Sequence, residues 1–208
     1  TKTNMDAQET TNPSPATNAR MSVVLAAVLI ASAVAIAYAN RLLVDDAFIS
    51  FRYAHNLVEG RGLVYNAGER VEGYTNFLWV MLIAGGMRLG FAPGTVACAL
   101  SLSCYAGTLA LIWRLTQRVL ADVRWSAAVI LLIGTQFTVA TFATGGLETS
   151  LQTLLLTAGC TIVITHHMRK HWPIRALLTL GFICAAGMLT RMDFVLFAAV
   201  LIPVALFS

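Results

Sequence analysis

Apolar runs fill most of this chain, and polar residues crowd into a few short stretches between them. Residues 21–39, MSVVLAAVLIASAVAIAYA, carry no charge and are about long enough to cross a bilayer as a helix. The same pattern predicts spans at 94–113, 125–143 and 149–165, a fifth from about 176 to 190, and a sixth beginning at Phe194. The stretch 77–90, FLWVMLIAGGMRLG, is different: its apolar run is short, is interrupted by Gly85-Gly86 and meets Arg88. That length predicts an interfacial or re-entrant helix. No repeat at a solenoid period is present.

The two ends break the pattern in opposite ways. TKTNMDAQETTNPSPATNAR, residues 1–20, is polar and lacks an apolar period, which predicts a disordered tail. The apolar run after it is too long for a convincing cleavable signal. FVLFAAVLIPVALFS stops inside an apolar run, as expected of the N-terminal part of a longer bundle. Composition agrees with a lipid-exposed chain: 58% of residues are hydrophobic and 12% charged, against roughly a quarter charged in soluble domains. The net charge of +4 is spread over loops, which argues for membrane orientation and against a nucleic-acid partner. Cys98, Cys104, Cys160 and Cys184 fall in apolar segments without metal spacing and read as small buried hydrophobes.

Charge orients the spans. Arg114, Arg118 and Arg124 lie in one basic loop, and Arg169, Lys170 and Arg175 in another. With a cytoplasmic N-terminus and a non-crossing 77–90, both loops fall inside, as the positive-inside rule requires. The expected protein is an all-α, polytopic transmembrane bundle of the plasma (inner) membrane. It divides into a cytoplasmic tail (1–20), a first transmembrane helix (21–39), an extracytoplasmic loop with amphipathic and interfacial helices (40–93), and a transmembrane bundle (94–208). The outer face then collects the loop 40–93, GGLET at 145–149 and TRMD at 190–193.

Five of the 10 acidic residues lie in that loop: Asp45, Asp46, Glu59, Glu69 and Glu72. Residues 45–59 read as an amphipathic helix, with Asp45, Arg52 and Glu59 on one face, Asn56 nearby, and an apolar stripe of Ala47, Phe51, Ala54 and Val58. One carboxylate of the pair is explained as a helix cap. Two adjacent ones repel unless a cation, proton or donor offsets them. Such a pair suits a general base beside a metal-binding or acceptor-positioning group. Tyr74 and Trp79 suit either an interface belt or stacking on a sugar. Arg191, at an outer span end beside Asp193, and Arg52 are the candidate cations for a phosphate; snorkelling and a loop salt bridge are the plainer alternatives. Glu148 reads either as a charge at a helix N-terminus or as a substrate contact. His55 reads as a relay or a loop histidine. His166, His167 and His171 imitate a metal site but sit among Arg and Lys on the cytoplasmic side.

The stretch DDAFISFRYAHNLVEGRGLVYNAGERVEGYTNFLW resembles the first extracytoplasmic loop of GT-C membrane glycosyltransferases, and most closely that of actinobacterial terminal arabinofuranosyltransferases. GGLET and LTR-x-D at 189–193 match as well; Phe77 and Met192 stand where relatives usually carry proline. The resemblance implies inverting transfer of a sugar, arabinofuranose in the nearest case, from a polyprenyl-phosphate donor to a cell-envelope glycan acceptor. It implies Asp45 as general base or its closest partner, Asp46 as the neighbouring carboxylate and a ligand for a divalent metal such as Mg or Mn, and Arg191 and Arg52 at the donor phosphate. Glu148, Tyr74, Asn76, Trp79 and Asp193 complete the expected substrate contacts. Two other classes compete. A transporter or lipid flippase should show polar or broken helices near mid-membrane, whereas these spans are nearly free of ionisable groups. A non-catalytic membrane partner that binds polymer or protein through the loop has no feature against it.

Overall fold

The computed structural model describes residues 15–69, 71 and 73–207. Among these the chain is all-helical, with no strand. In order the helices are α1 (Pro15–Ala39), α2 (Ala47–Val58), α3 (Phe77–Arg88), α4 (Pro93–Leu120), α5 (Val123–Gly134), α6 (Phe137–Phe142), α7 (Thr149–Arg169), α8 (Ile174–Thr190) and α9 (Phe194–Phe207). The first 14 residues of the expected tail lie outside the described residues, and the rest of it, from Pro15, already belongs to α1.

Two helices combine the length and apolarity needed to cross a membrane, Ala19–Ala39 of α1 and all of α4. α3 has 12 residues, about 18 Å of helix against a hydrocarbon core of about 30 Å.

The span expected at 125–143 is not one helix. It breaks at Thr135-Gln136 into α5 and the six-residue α6. Three contacts explain the break. Tyr105 of α4 donates its hydroxyl to the Gly134 carbonyl at 3.1 Å, and Thr135 Oγ1 folds back onto Leu131 O at 2.7 Å. A Cβ on Gly134 would stand 3.0 Å from Ala33 Cβ, so α1 and α5 touch almost backbone to backbone there. Apolar periodicity carries none of this, because residues on both sides of the break are greasy.

Packing forms three cores. Ala47, Phe51, Tyr53 and Ala54 of α2 meet Trp79, Val80 and Ile83 of α3 and Ala97 of α4. Ala26, Ala33 and Ala37 of α1 meet Tyr105, Leu109 and Trp113 of α4 and Ile130 of α5. Val163 of α7, Leu180, Ile183 and Cys184 of α8, and Phe194, Ala198 and Leu201 of α9 form the third. α4 and α7 form the central pair that joins the loop helices to the C-terminal helices. Opposite these cores the helices stay apolar: Val24 and Val28 of α1, Leu178 and Phe182 of α8, and Leu196 and Val200 of α9 are exposed.

The amphipathic reading of α2 holds for Ala47, Phe51 and Ala54, which are buried. It fails for Asn56. That amide is 1% exposed and donates to Val64 O at 2.8 Å and Tyr65 O at 2.9 Å. The carbonyls of the glycine-rich turn need a donor inside the fold, and Asn56 supplies it.

Candidate active site

The site is assembled from four chain segments, beginning with the turn before α7. Gly146 adopts φ +84°, and a Cβ there would lie 2.6 Å from Leu43 Cδ1 and 2.9 Å from Ala47 Cβ. Only glycine fits both the conformation and the space. The buried indole of Trp79 donates to Gly146 O at 3.0 Å, and the Val44 amide donates to Gly145 O at 3.1 Å. The loop before α2 and the start of α3 therefore clamp GGLE from two sides.

This clamp holds Glu148, a carboxylate in a residue only 5% exposed. Glu148 occupies the N-cap position of α7, yet its side chain bonds none of the first-turn amides. Its oxygens face inward. Asn76 Nδ2 donates to Oε2 at 2.8 Å, and Arg191 Nη1 donates to Oε1 at 3.2 Å. Asn76 Nδ2 also donates to Ser50 Oγ at 2.9 Å. A buried carboxylate requires such donors, and a cation among them offsets the cost of removing the charge from water.

Arg191 divides its guanidinium between two carboxylates. Besides Glu148 it reaches Asp193, from Nη2 to Oδ2 at 3.1 Å and from Nε to both oxygens at 3.3 Å. Gln152 of α7 donates to Asp193 Oδ1 at 3.0 Å. Asp193 raises the pKa of Arg191 above its ordinary value, with Glu148 adding to it, and Arg191 in turn holds the Asp193 carboxyl below the usual carboxylate range. The spacing of two between Arg191 and Asp193 offered no pairing on a regular helix. The pair forms because residue 191 is extended (φ −156°, ψ 135°) beyond the end of α8.

Asp45 and Asp46 are exposed at the start of α2. Asp46 takes the N-cap position, but its side chain accepts no cap hydrogen bond, so the capping explanation fails for it. Among the described residues neither carboxylate has a side-chain partner. Chain geometry ties them to the network. Ser50 lies four residues after Asp46 on α2, so their Cβ atoms are about 5–6 Å apart. Val44, immediately before Asp45, is bonded to the Gly145 carbonyl, three residues before Glu148.

The other expected residues are placed differently. Arg52 donates from Nε to Tyr65 O at 3.2 Å, and among the described residues no hydrogen bond or ion pair links it to Glu148 or Arg191. Trp79 is fully buried and clamps the GGLE turn, so its ring offers no open face for a sugar. Tyr74 is half-buried and packs edge-on against Tyr53, with ring centroids 4.9 Å apart. His55 lies 3.8 Å from Glu59. His166 Nδ1 is 2.9 Å from His171 O, and among the described residues no three His, Cys, Asp or Glu side chains form a metal-holding group. Ser50 and Gln152 escaped the sequence reading. Each stands one helical turn beyond an acidic residue, Asp46 and Glu148, and that spacing was the available signal.

The chain is 31% identical over 177 residues to a terminal β-(1→2)-arabinofuranosyltransferase of Mycobacterium tuberculosis. A distant relative is thus a glycosyltransferase. The match covers 76% of this chain and 27% of the relative, so the chain spans about a quarter of that protein's length. No protein-family model matches the chain, and no solved structure matches it.

Proposed function

We propose that the chain carries the catalytic face of a membrane glycosyltransferase of GT-C type, with its N-terminus cytoplasmic and the Glu148 network at the outer surface of the plasma membrane. The sugar, arabinofuranose in the nearest case, passes from a polyprenyl phosphate to a hydroxyl of a cell-envelope glycan. The observation that carries this reading is the buried Glu148 held by Asn76 and Arg191, with Asp46 one helical turn from Ser50, which shares Asn76, and with neither Asp45 nor Asp46 having a side-chain partner among the described residues. A structural salt bridge needs no such neighbours. The apolar outer surfaces of α1, α8 and α9 support a lipid surrounding.

In the proposed reaction Asp45, with Asp46 beside it, takes the proton of the acceptor hydroxyl. The acceptor oxygen attacks the anomeric carbon, and the bond from that carbon to the phosphate oxygen breaks. The lipid phosphate leaves with the electron pair and is stabilised by Arg191, whose contact with Asp193 is exposed to solvent. Glu148 and Asn76 orient that guanidinium. Asp193 and Gln152 fix the remaining edge, where a sugar hydroxyl can compete for the same oxygens.

The four segments of the site carry Asp45, Asp46, Glu148 and Asp193 against the Arg191 guanidinium, a local excess of negative charge. That balance suits a hard divalent cation such as Mg or Mn arriving with the phosphate. With both Glu148 oxygens committed and Asp45 assigned to the acceptor proton, Asp46 is the oxygen ligand we assign to it. A cation with one or two carboxylates, water and a substrate phosphate is an ordinary Mg arrangement, and its contribution would be charge neutralisation at the leaving group.

Asp45→Asn and Asp46→Asn in the full-length protein test the assignment. Loss of a general base costs about 10²- to 10⁴-fold in rate, so sugar transfer in isolated membranes should fall that far in at least one variant, with expression and insertion unchanged. Wild-type transfer by both variants ends the catalytic reading of the pair.

A further inference from the structure

A cavity of about 1050 Å³ opens between the start of α1 and the end of α4, far from the catalytic network. Its volume is at the upper end of small-ligand pockets, about 1000 Å³. Leu147, next to Glu148, meets α4 at Ser101, and Arg114 in the cavity wall lies roughly 20 Å further along that helix. At the other end of the pair, Tyr38 and Arg41 of α1 face Thr95 and Cys98 of α4 across a separate cavity, so the two helices run antiparallel. Leu25 and Trp113 therefore mark the inner end of the larger cavity, and Ala19 and Asp122 its mouth.

Two chemistries divide the lining. Met21, Val23 and Leu25 make the α1 wall apolar, and all three are exposed. The α4 wall carries Arg114 and Arg118, one helical turn apart and so on one face. Arg118 spends one N–H on Thr165 Oγ1 of α7 at 3.2 Å. Arg114 has no hydrogen bond or ion pair among the described residues, which leaves its fan of donors open. The other polar groups are already engaged: Gln117 Nε2 donates to Ser126 Oγ at 2.8 Å, and Asp122 Oδ1 accepts the Arg124 amide at 2.8 Å as the cap of α5. Asp122 is the single acid of the lining, against two guanidiniums. A soluble anion would make no use of the apolar wall, and a zwitterionic headgroup would bring its own cation to the arginines. A phosphodiester with hydrocarbon attached and no cation of its own answers both walls.

We infer that this cavity seats the headgroup of an anionic phospholipid of the inner leaflet, with Arg114 and Arg118 on its phosphodiester and its acyl chains leaving along Met21, Val23 and Leu25. The choice of leaflet rests on the topology in the proposed function; the chemistry of the site does not. A basic pocket between helices on the cytoplasmic side is an ordinary seat for such a headgroup. The lipid bridges α1 and α4 at the end of the bundle farthest from Glu148, and so ties the first helix to the central one.

The probe is phosphatidylglycerol with a diazirine in its acyl chain near the glycerol, photolysed with the full-length protein in phosphatidylcholine nanodiscs and mapped by peptide mass spectrometry. Phosphatidylcholine bearing the same diazirine forms the second arm, and competition by excess inorganic phosphate at matched ionic strength the third. The expected result is capture of the phosphatidylglycerol probe on residues 19–25 and 113–123, well above that of phosphatidylcholine and unchanged by inorganic phosphate. Arg114→Gln and Arg118→Gln should each lower capture about fivefold, the pull of one arginine on an anionic headgroup. Arg169→Gln, in the other basic loop, should leave it unchanged. Ser22→Phe, which puts a ring into the cavity without altering charge, should lower it as well. Equal capture of the two lipids, displacement by inorganic phosphate, indifference to Arg114→Gln and Arg118→Gln, or an equal loss in Arg169→Gln overturns the inference. These outcomes separate the two proposals. Transfer lost in Asp46→Asn without arginine-dependent capture refutes the headgroup site alone. Arginine-dependent capture by a protein whose Asp45→Asn and Asp46→Asn variants keep full transfer refutes the catalytic reading alone.

Discussion

Removing either partner of the Glu148–Arg191 pair should have unequal effects. At 3.2 Å, Coulomb attraction between unit charges is about 1.3 kcal/mol in water and about 5 kcal/mol at an effective dielectric of 20. Glu148 exposes 7% of its side chain but Arg191 exposes 40%, so water screens the pair from one side. The lower part of that range applies, and a double-mutant cycle should give a coupling of about 1–2 kcal/mol. The single variants differ more. Arg191→Met leaves a buried carboxylate with Asn76 as its remaining donor, and should cost about 2–3 kcal/mol. Glu148→Gln keeps an acceptor for Asn76 and leaves Arg191 with Asp193, and should cost about 1 kcal/mol. Thermal unfolding of the purified protein in detergent, with the double variant Glu148→Gln/Arg191→Met, measures all three. Equal single effects, or strict additivity, would show that the guanidinium is not the charge partner of Glu148 and would remove the basis of the site.

Other outcomes follow from the same contacts. Gly146→Ala combines a positive φ with a Cβ 2.6 Å from Leu43 Cδ1, and should lower stability by about 2 kcal/mol or more and lower transfer with it; an unchanged melting temperature and rate would mean the turn is not clamped. Asp193 titrates lower in the fold than in the unfolded chain because of Arg191, so its contribution is present above the unfolded pKa and lost as pH falls through the lowered folded value. Acid unfolding profiles below about pH 4 should therefore be shallower for Asp193→Asn than for the parent, and identical profiles would deny the pairing. Leu120→Cys, at the end of α4, should react with an impermeant thiol reagent only from the cytoplasmic side; labelling from outside would place the basic loops outward and invert the proposed topology.

The legible parts of the sequence were those written in long periods. Apolar runs located the helices, the shortness of 77–90 marked α3, and the convergence of Glu148, Arg191, Asp193 and Asn76 followed from placing their loops on one side. Illegible features depended on contacts distant in the chain. The α5–α6 break is set by Tyr105, about thirty residues earlier, and by the close approach of Ala33 to Gly134. Trp79 looked like a free aromatic because an indole in a loop motif gives no sign that Gly146 will claim its N–H. Arg52 read as a phosphate ligand or as a loop salt bridge, and nothing local announced that its Nε would donate to the Tyr65 carbonyl. Side-chain type carried chemical capacity, and tertiary contact decided its use.

The hydrogen bonds of Glu148 also fix an order of events during synthesis. Asn76 waits for a partner 72 residues downstream, and that partner waits a further 43 for its guanidinium. At ribosomal speeds of 5–20 residues per second the first loop stays open for roughly 6–23 s. Through that interval the nascent chain carries Asn76 without Glu148 and then Glu148 without its guanidinium, so the site closes only after residue 191 has been made.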